Sequence, residues 1–308
     1  MLRKRLIPPD HMAFAPLPIS SIPLSGGINA AVHIAGNLSS ARLPVICLAG
    51  YQRNMSDFTE FAAYFRRMGG GDWPVILVDL PGRGRADDRR LAEDYNSRAD
   101  ADDVASVMTA LSVGHAVMLG QGHGGQVAML LAAHHPLMIA GTILLDAGPV
   151  TDSRGIVRLR NNMQHINSLR GNKAIVEDFR RILGGDYPGL SDARLDGLIG
   201  RSHYVDRRGR ARSLFDPRLL KPLEAINFDD VLMPQWPLFD ALAIAPLLLL
   251  RTQLTDQVRR ETLDEMRRRR PDALALTISG QGSPALFDQS EEIEAVARFV
   301  LSISQRFG

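Results

Sequence analysis

Short apolar runs with no polar alternation recur along this chain, each followed by a longer stretch with apolar residues at helical spacing. Pro44-Val45-Ile46-Cys47-Leu48 is such a run, and Asp57 to Met68 then carries Phe58, Phe61, Ala62 and Phe65 at that spacing. Trp73 to Val78, Ala116 to Leu119, Ile139 to Leu145, Pro246 to Leu250 and Leu274 to Ile278 repeat the first pattern. Asp100 to Leu111, Gly125 to Ala133, Arg259 to Arg270 and Glu291 to Ser304 repeat the second. Continuous apolar runs suit strands covered on both faces, and intervening helices supply the crossovers, so the pattern predicts an α/β fold on a mostly parallel sheet. Ile22 to Ala35, with Gly26-Gly27 in its middle, predicts a lead-in hairpin.

From Thr151 to Trp236 the pattern changes. No strand is evident there, only helix-like stretches rich in arginine (Arg154, Arg158, Arg160, Arg180, Arg181, Arg207, Arg208, Arg210, Arg212), broken by Gly184-Gly185 and Pro188-Gly189. At about 150 residues per domain, 308 residues allow two domains or one enlarged one. The alternation favours the second: core residues 1–150, a helical cap insertion over 151–236, and core again over 237–308. Lys and Arg number 36 against 34 Asp and Glu, a net charge of +2, too little to steer nucleic acid or an anionic membrane. The expected partner is therefore a small molecule, and the oligomeric state stays open. Cys47 is the only cysteine, so no intrachain disulfide and no cysteine metal cluster can form. Met1-Leu2-Arg3-Lys4-Arg5 is followed by Pro8, Pro9, Asp10 and His11 rather than an apolar stretch, so no signal peptide is expected. The apolar run from Ala241 to Leu250 is about half of what a membrane span needs. The expected location is the cytoplasm.

The sharpest local feature is Leu119-Gly120-Gln121-Gly122-His123-Gly124-Gly125, between a strand and a helix. Gly120, Gly122 and Gly125 match G-x-G-x-x-G, and Asp146 ends the next strand about 20 residues on, where a ribose-binding acid belongs. Gly120, Gly124 and Gly125 equally match the small residues of a nucleophile elbow, G-x-S-x-G, with Gly122 at the nucleophile position. A third reading is a tight turn that needs glycine and nothing more.

Over most of its length the sequence resembles the α/β-hydrolase superfamily, in particular bacterial members related to esterases and enol-lactonases. The resemblance rests on Cys47-Leu48-Ala49-Gly50-Tyr51 with Asp57-Phe58, Val78-Asp79-Leu80-Pro81-Gly82-Arg83-Gly84, the Gly120 to Gly125 turn, Leu145-Asp146-Ala147-Gly148-Pro149, Leu249-Leu250-Arg251 through Asp256, and Ile278-Ser279-Gly280-Gln281-Gly282 through Asp288. It implies an α/β-hydrolase fold, a helical cap and no cofactor or metal. Carried over position by position, the catalytic triad falls on Gly122 for the nucleophile, Asp256 for the acid and Ser283 for the histidine. Two of the three lack the required chemistry, because glycine has no attacking group and serine is no general base. The backbone N–H groups of Tyr51, after Gly50, and of His123 would form the oxyanion site, and backbone donors survive the loss of side chains.

The resemblance therefore implies a pseudoenzyme or small-molecule binder with a residual oxyanion-type pocket. The alternative is an ester or lactone hydrolase of unorthodox mechanism, with water held by those amides and His123 or Asp256. A dinucleotide site through Gly120, Gly122 and Gly125 ranks behind both. Of the remaining residues, His123 reads as packed beside the elbow and Asp256 as a vestige or turn cap. Asp146 reads as bonding loop amides, and Ser283 as a hydroxyl with no base that the sequence can name. Arg83 and Arg85 read as solvated, and Arg267 to Arg270 as cations at a helix end.

Overall fold

The computed structural model describes residues 7, 8, 11–38, 42–68 and 71–307. The basic start Met1 to Arg5, with Pro9 and Asp10, lies outside the described residues. The lead-in hairpin forms from β1 (Ser20–Pro23) and β2 (Asn29–Ala35), which pair antiparallel with Ile22 opposite Ala30. Gly26 and Gly27 turn the chain between them at φ 77° and 72°, the left-handed region that favours glycine.

The apolar runs become β3 (Val45–Leu48), β4 (Val75–Asp79), β5 (Ala116–Gln121), β6 (Ile139–Leu145), and, beyond a hairpin described below, β9 (Leu247–Thr252) and β10 (Leu274–Ile278). The helix-periodic stretches become α1 (Thr59–Met68), α2 (Ser97–Ala110), α3 (His123–His134), α8 (Arg260–Arg269) and α9 (Ser290–Phe307). The sheet order is β1-β2-β4-β3-β5-β6-β9-β10, parallel from β4 to β10. Successive residues of each central strand feed opposite layers. Val45 and Cys47 pack with Phe58, Phe61 and Val300 on one face, while Ile46 and Leu48 pack with Val104, Val127 and Met266 on the other. Burial on both faces explains why these strands carry no polar alternation. Cys47 is fully buried, which pushes its thiol up.

Between β6 and β9 the chain builds α4 (Ser153–Ser168), α5 (Asn172–Asp186), α6 (Asp192–Gly200) and the short α7 (Trp236–Asp240). Met163, Ile166, Ile175, Phe179 and Phe215 form a separate apolar cluster there. The expectation of no strand in this region is corrected by a hairpin of β7 (His203–Val205) and β8 (Ala211–Ser213). Three residues per strand are too few to display a period. What closes the hairpin is Asp206, which accepts the N–H groups of Arg208 and Arg210 at its turn. Among the described residues, no helix is long and apolar enough to cross a membrane.

Candidate functional site

In a parallel sheet all the loops that follow the strands gather at one end, where ligands bind in open α/β folds. Here that end collects Gly50 and Tyr51 after β3, Gly122 after β5, Asp146 after β6, Asp256 and Gln257 after β9, and Ser283 after β10; all line one cavity of about 480 Å³. Helices α4 and α5 cover it with Ile156, Leu159, Met163, Phe179, Ile182 and Leu183.

The strand-to-helix turn explains its glycines separately. A Cβ at Gly120 would lie 2.4 Å from the Gly124 carbonyl oxygen, at Gly124 2.1 Å from the Leu48 carbonyl oxygen, and at Gly125 2.3 Å from the Ala147 methyl. These residues let α3 pass close to the sheet. Gly122 differs. Its backbone sits at φ 52°, ψ −113°, a sparsely populated conformation held by its N–H on the Leu145 carbonyl at 2.9 Å. The nearest atom to a Cβ there is the side-chain oxygen of Gln257, Oε1, at 2.5 Å; nothing else lies closer than 3.6 Å. A carboxamide thus fills the space into which a side chain at position 122 would project.

The same carboxamide reaches Ser283. Gln257 Nε2 and Gln121 Nε2 both donate to Ser283 Oγ at 3.2 Å. The hydroxyl in turn hydrogen-bonds Asp146, which also accepts the N–H and the Oγ–H of Thr252 at 2.8 Å each. Burial pushes the Asp146 carboxyl up to about 6, with the Thr252 and Ser283 hydrogen bonds opposing the shift. Asp146 therefore bonds more than loop amides, and its oxygens are engaged within the chain rather than presented to a ribose. Asp256, the acid that the resemblance selects, has a different partner: Arg158 Nε of α4 holds it at 2.6 Å and also holds Asp186 at 3.0 Å. Asp256 and Ser283 line the same cavity, yet the carboxylate bonded to Ser283 is that of Asp146.

Behind the turn lies a buried ionic network. Asp100 of α2 takes Arg83 Nη1 at 2.9 Å, Arg89 Nη2 at 2.7 Å and His123 Nε2 at 2.7 Å. Burial opposes its ionisation, but Arg83, His123 and Arg89 outweigh burial and hold the carboxyl well below its usual range. Arg83, expected in solvent, is only 3% exposed. Besides Asp100 it donates to the Tyr51 and Pro81 carbonyls, and it lies over the Tyr51 ring. Arg85 likewise folds inward, over Phe14. Burial lowers the His123 imidazole below its ordinary value, and with Asp100 ionised its Nε2–H donates inward. Its ring meets Tyr51 edge to face at 5.1 Å. His123 is therefore packed beside the elbow, and one network braces both the Tyr51 and the His123 peptides.

Gln121, Gln257 and Arg158 are site residues that the sequence reading passed over. Gln121 stands inside the glycine turn and Gln257 beside Asp256, so both had a positional signal. Arg158 had only membership of an arginine-rich stretch. Among the described residues, no cluster of His, Cys, Asp or Glu is placed to hold a metal.

Comparison with known proteins agrees with this fold. Residues 44–198 match the family described as alpha/beta hydrolase fold. The crystal structure of an α/β hydrolase from Novosphingobium aromaticivorans superposes with a TM-score of 0.80 at 27% identity, covering 92% of this chain and 98% of that one. A 3-hydroxybutyrate-oligomer hydrolase of Cupriavidus necator is 24% identical over 287 residues, 87% of this chain and 92% of the relative. A serine hydrolase-like protein of Danio rerio is 28% identical over 169 residues, 52% of this chain and about half (51%) of its own length. Together with the sheet order and the strand-to-helix turn, these matches establish that the chain belongs to the α/β-hydrolase fold family.

Proposed function

We propose that this protein is a non-hydrolytic member of its family, a binder of a small carbonyl-bearing molecule. In this reading residues 151–236 act as a cap over the cavity. The N–H groups of Tyr51 and His123 receive the ligand's carbonyl oxygen as a residual oxyanion site. The observation that carries the reading is the state of Ser283. A hydroxyl offers one proton and two lone pairs. Here Asp146 takes the proton and Gln121 and Gln257 donate to the oxygen, so the hydroxyl is held in the chain's own hydrogen bonds, with no imidazole beside it to activate it. Gly122 has no side chain, and His123, with its Nε2–H on Asp100, has no bond to a group that it could activate. A cavity of about 480 Å³ with a mostly apolar cover is of ordinary size for a small ligand.

The alternative, hydrolysis of an activated ester or lactone through bound water, draws on relatives named as hydrolases. One assay decides between them. Offered short-chain aryl esters and lactones, the native protein is expected to match buffer, while the triple variant Gly122→Ser, Gln257→Ala, Ser283→His gains turnover with Asp146 as the acid. Native turnover well above buffer, abolished by His123→Ala, overturns the binding reading.

A further inference from the structure

From the hydrogen-bond chain across the cavity floor we infer that Gln257 selects the ligand, and that the ligand carries an N–H on the same side as its carbonyl oxygen: a lactam or other cis amide rather than an ester. This rests on the reading of the cavity as a non-hydrolytic binding site.

The orientation of the Gln257 amide is the first step. Ser283 Oγ accepts hydrogen bonds, and a carboxamide beside an acceptor turns its NH₂ toward it. Gln257 and Gln121 both do, at 3.2 Å, and Gln121 does so although its own oxygen is left buried without a hydrogen-bond partner. With its nitrogen committed to Ser283, Gln257 must direct its oxygen away, toward Gly122.

Where that oxygen ends up is the second step. It lies 2.5 Å from the point at which a Cβ of residue 122 would stand, and the Gly50 Cα is 3.9 Å from the same point. Oε1 is thus beside the Gly122-His123 peptide, whose N–H, with that of Tyr51, forms the residual oxyanion site in this reading. A ligand whose carbonyl oxygen meets those donors brings its next atom against an acceptor. An ester offers a lone pair there, which repels; an amide N–H donates. The loss of the nucleophile and the arrival of Gln257 thus convert a site for acyl attack into a matched donor and acceptor pair. A site that hydrogen-bonds a ligand N–H favours it over analogues that set a lone pair or a methyl group against the same acceptor.

The test uses three probes of nearly equal shape with the full chain: δ-valerolactam, δ-valerolactone and N-methyl-δ-valerolactam. Calorimetric titration is expected to give the secondary amide a Kd at least about tenfold below both others, and Gln257→Leu is expected to erase the difference. Equal affinities in the native protein, or a preference that persists in Gln257→Leu, overturn the inference. The comparison with the tertiary amide needs no variant, so it stands even if Gln257→Leu misfolds. Chromatography of the same samples separates the two levels of the reading. Consumption of the ester defeats non-hydrolytic binding itself, whereas intact probes without preference defeat only the choice of amide. Failure of all three to bind at millimolar concentration overturns both.

Discussion

Replacing Gly122 by alanine isolates the strain of the strand-to-helix turn from any chemistry. The backbone there, at φ 52° and ψ −113°, costs a residue with a Cβ about 1–3 kcal/mol, against which alanine recovers about 0.4–1 kcal/mol by narrowing the unfolded ensemble. The new Cβ would press on Gln257 Oε1 at 2.5 Å, but that is the far end of a flexible side chain, and the next residue, Gly50, stands at 3.9 Å. The net expectation is a loss of about 1–2 kcal/mol, and Gln257→Ala in the same chain should return little of it. Gly124→Ala must behave differently, because its Cβ would lie 2.1 Å from the Leu48 backbone oxygen, which cannot step aside. It should exceed about 4 kcal/mol or prevent folding. Urea titration followed by tryptophan fluorescence reads both as shifts of midpoint at constant slope. A Gly122→Ala protein as stable as the native one, or a Gly124→Ala protein no worse than it, would refute the assignment of strain to position 122 and close packing to position 124.

Asp100→Asn leaves Arg83 and Arg89 buried without their shared carboxylate, so thermal unfolding should report a loss of about 3–5 kcal/mol; a loss below 1 would mean that the network is not needed. Burial pushes the Glu292 carboxyl up to about 7, so the native state holds a proton that the unfolded chain releases from about pH 4.3 upward. Stability contributed by that group is present below about pH 4 and is lost as pH rises to 7, at no more than about 1.4 kcal/mol per pH unit. Glu292→Gln should flatten the decline in melting temperature between pH 5 and 7.5, and an unchanged slope would remove Glu292 as its source; Asp146, at about 6, adds a decline of the same sign that remains. Arg158→Ala frees Asp256 and Asp186, but Arg158 is about half exposed, so global stability should change by less than about 1 kcal/mol, while hydrogen exchange in α4 and at the end of α5 accelerates. Unchanged exchange would show that the ion pairs do not hold the helices over the cavity.

The amino-acid sequence by itself determined where the sheet lies, because burial on both faces demands unbroken apolar runs, and Val45 to Leu48 or Ile139 to Leu145 allow little else. It also determined that position 122 has no nucleophile and position 283 no imidazole, since residue identity alone excludes that chemistry. Arg83 shows where such reading stops: a charged residue in a glycine-rich loop is solvated by default, and only the approach of Asp100, 17 positions away on another element, takes it inside. The choice between Asp146 and Asp256 belonged to tertiary structure for the same reason. Both acids follow strands at the same end of the sheet, and which one bonds Ser283 depends on Arg158 reaching across from α4 to claim Asp256. Gln257 was invisible as a site residue because its oxygen reaches Gly122 and its nitrogen Ser283 only after three loops, far apart in the chain, converge. Local patterns encode burial and backbone geometry; hydrogen bonds between side chains of distant loops depend on how those loops pack, and no short stretch of sequence carries that information.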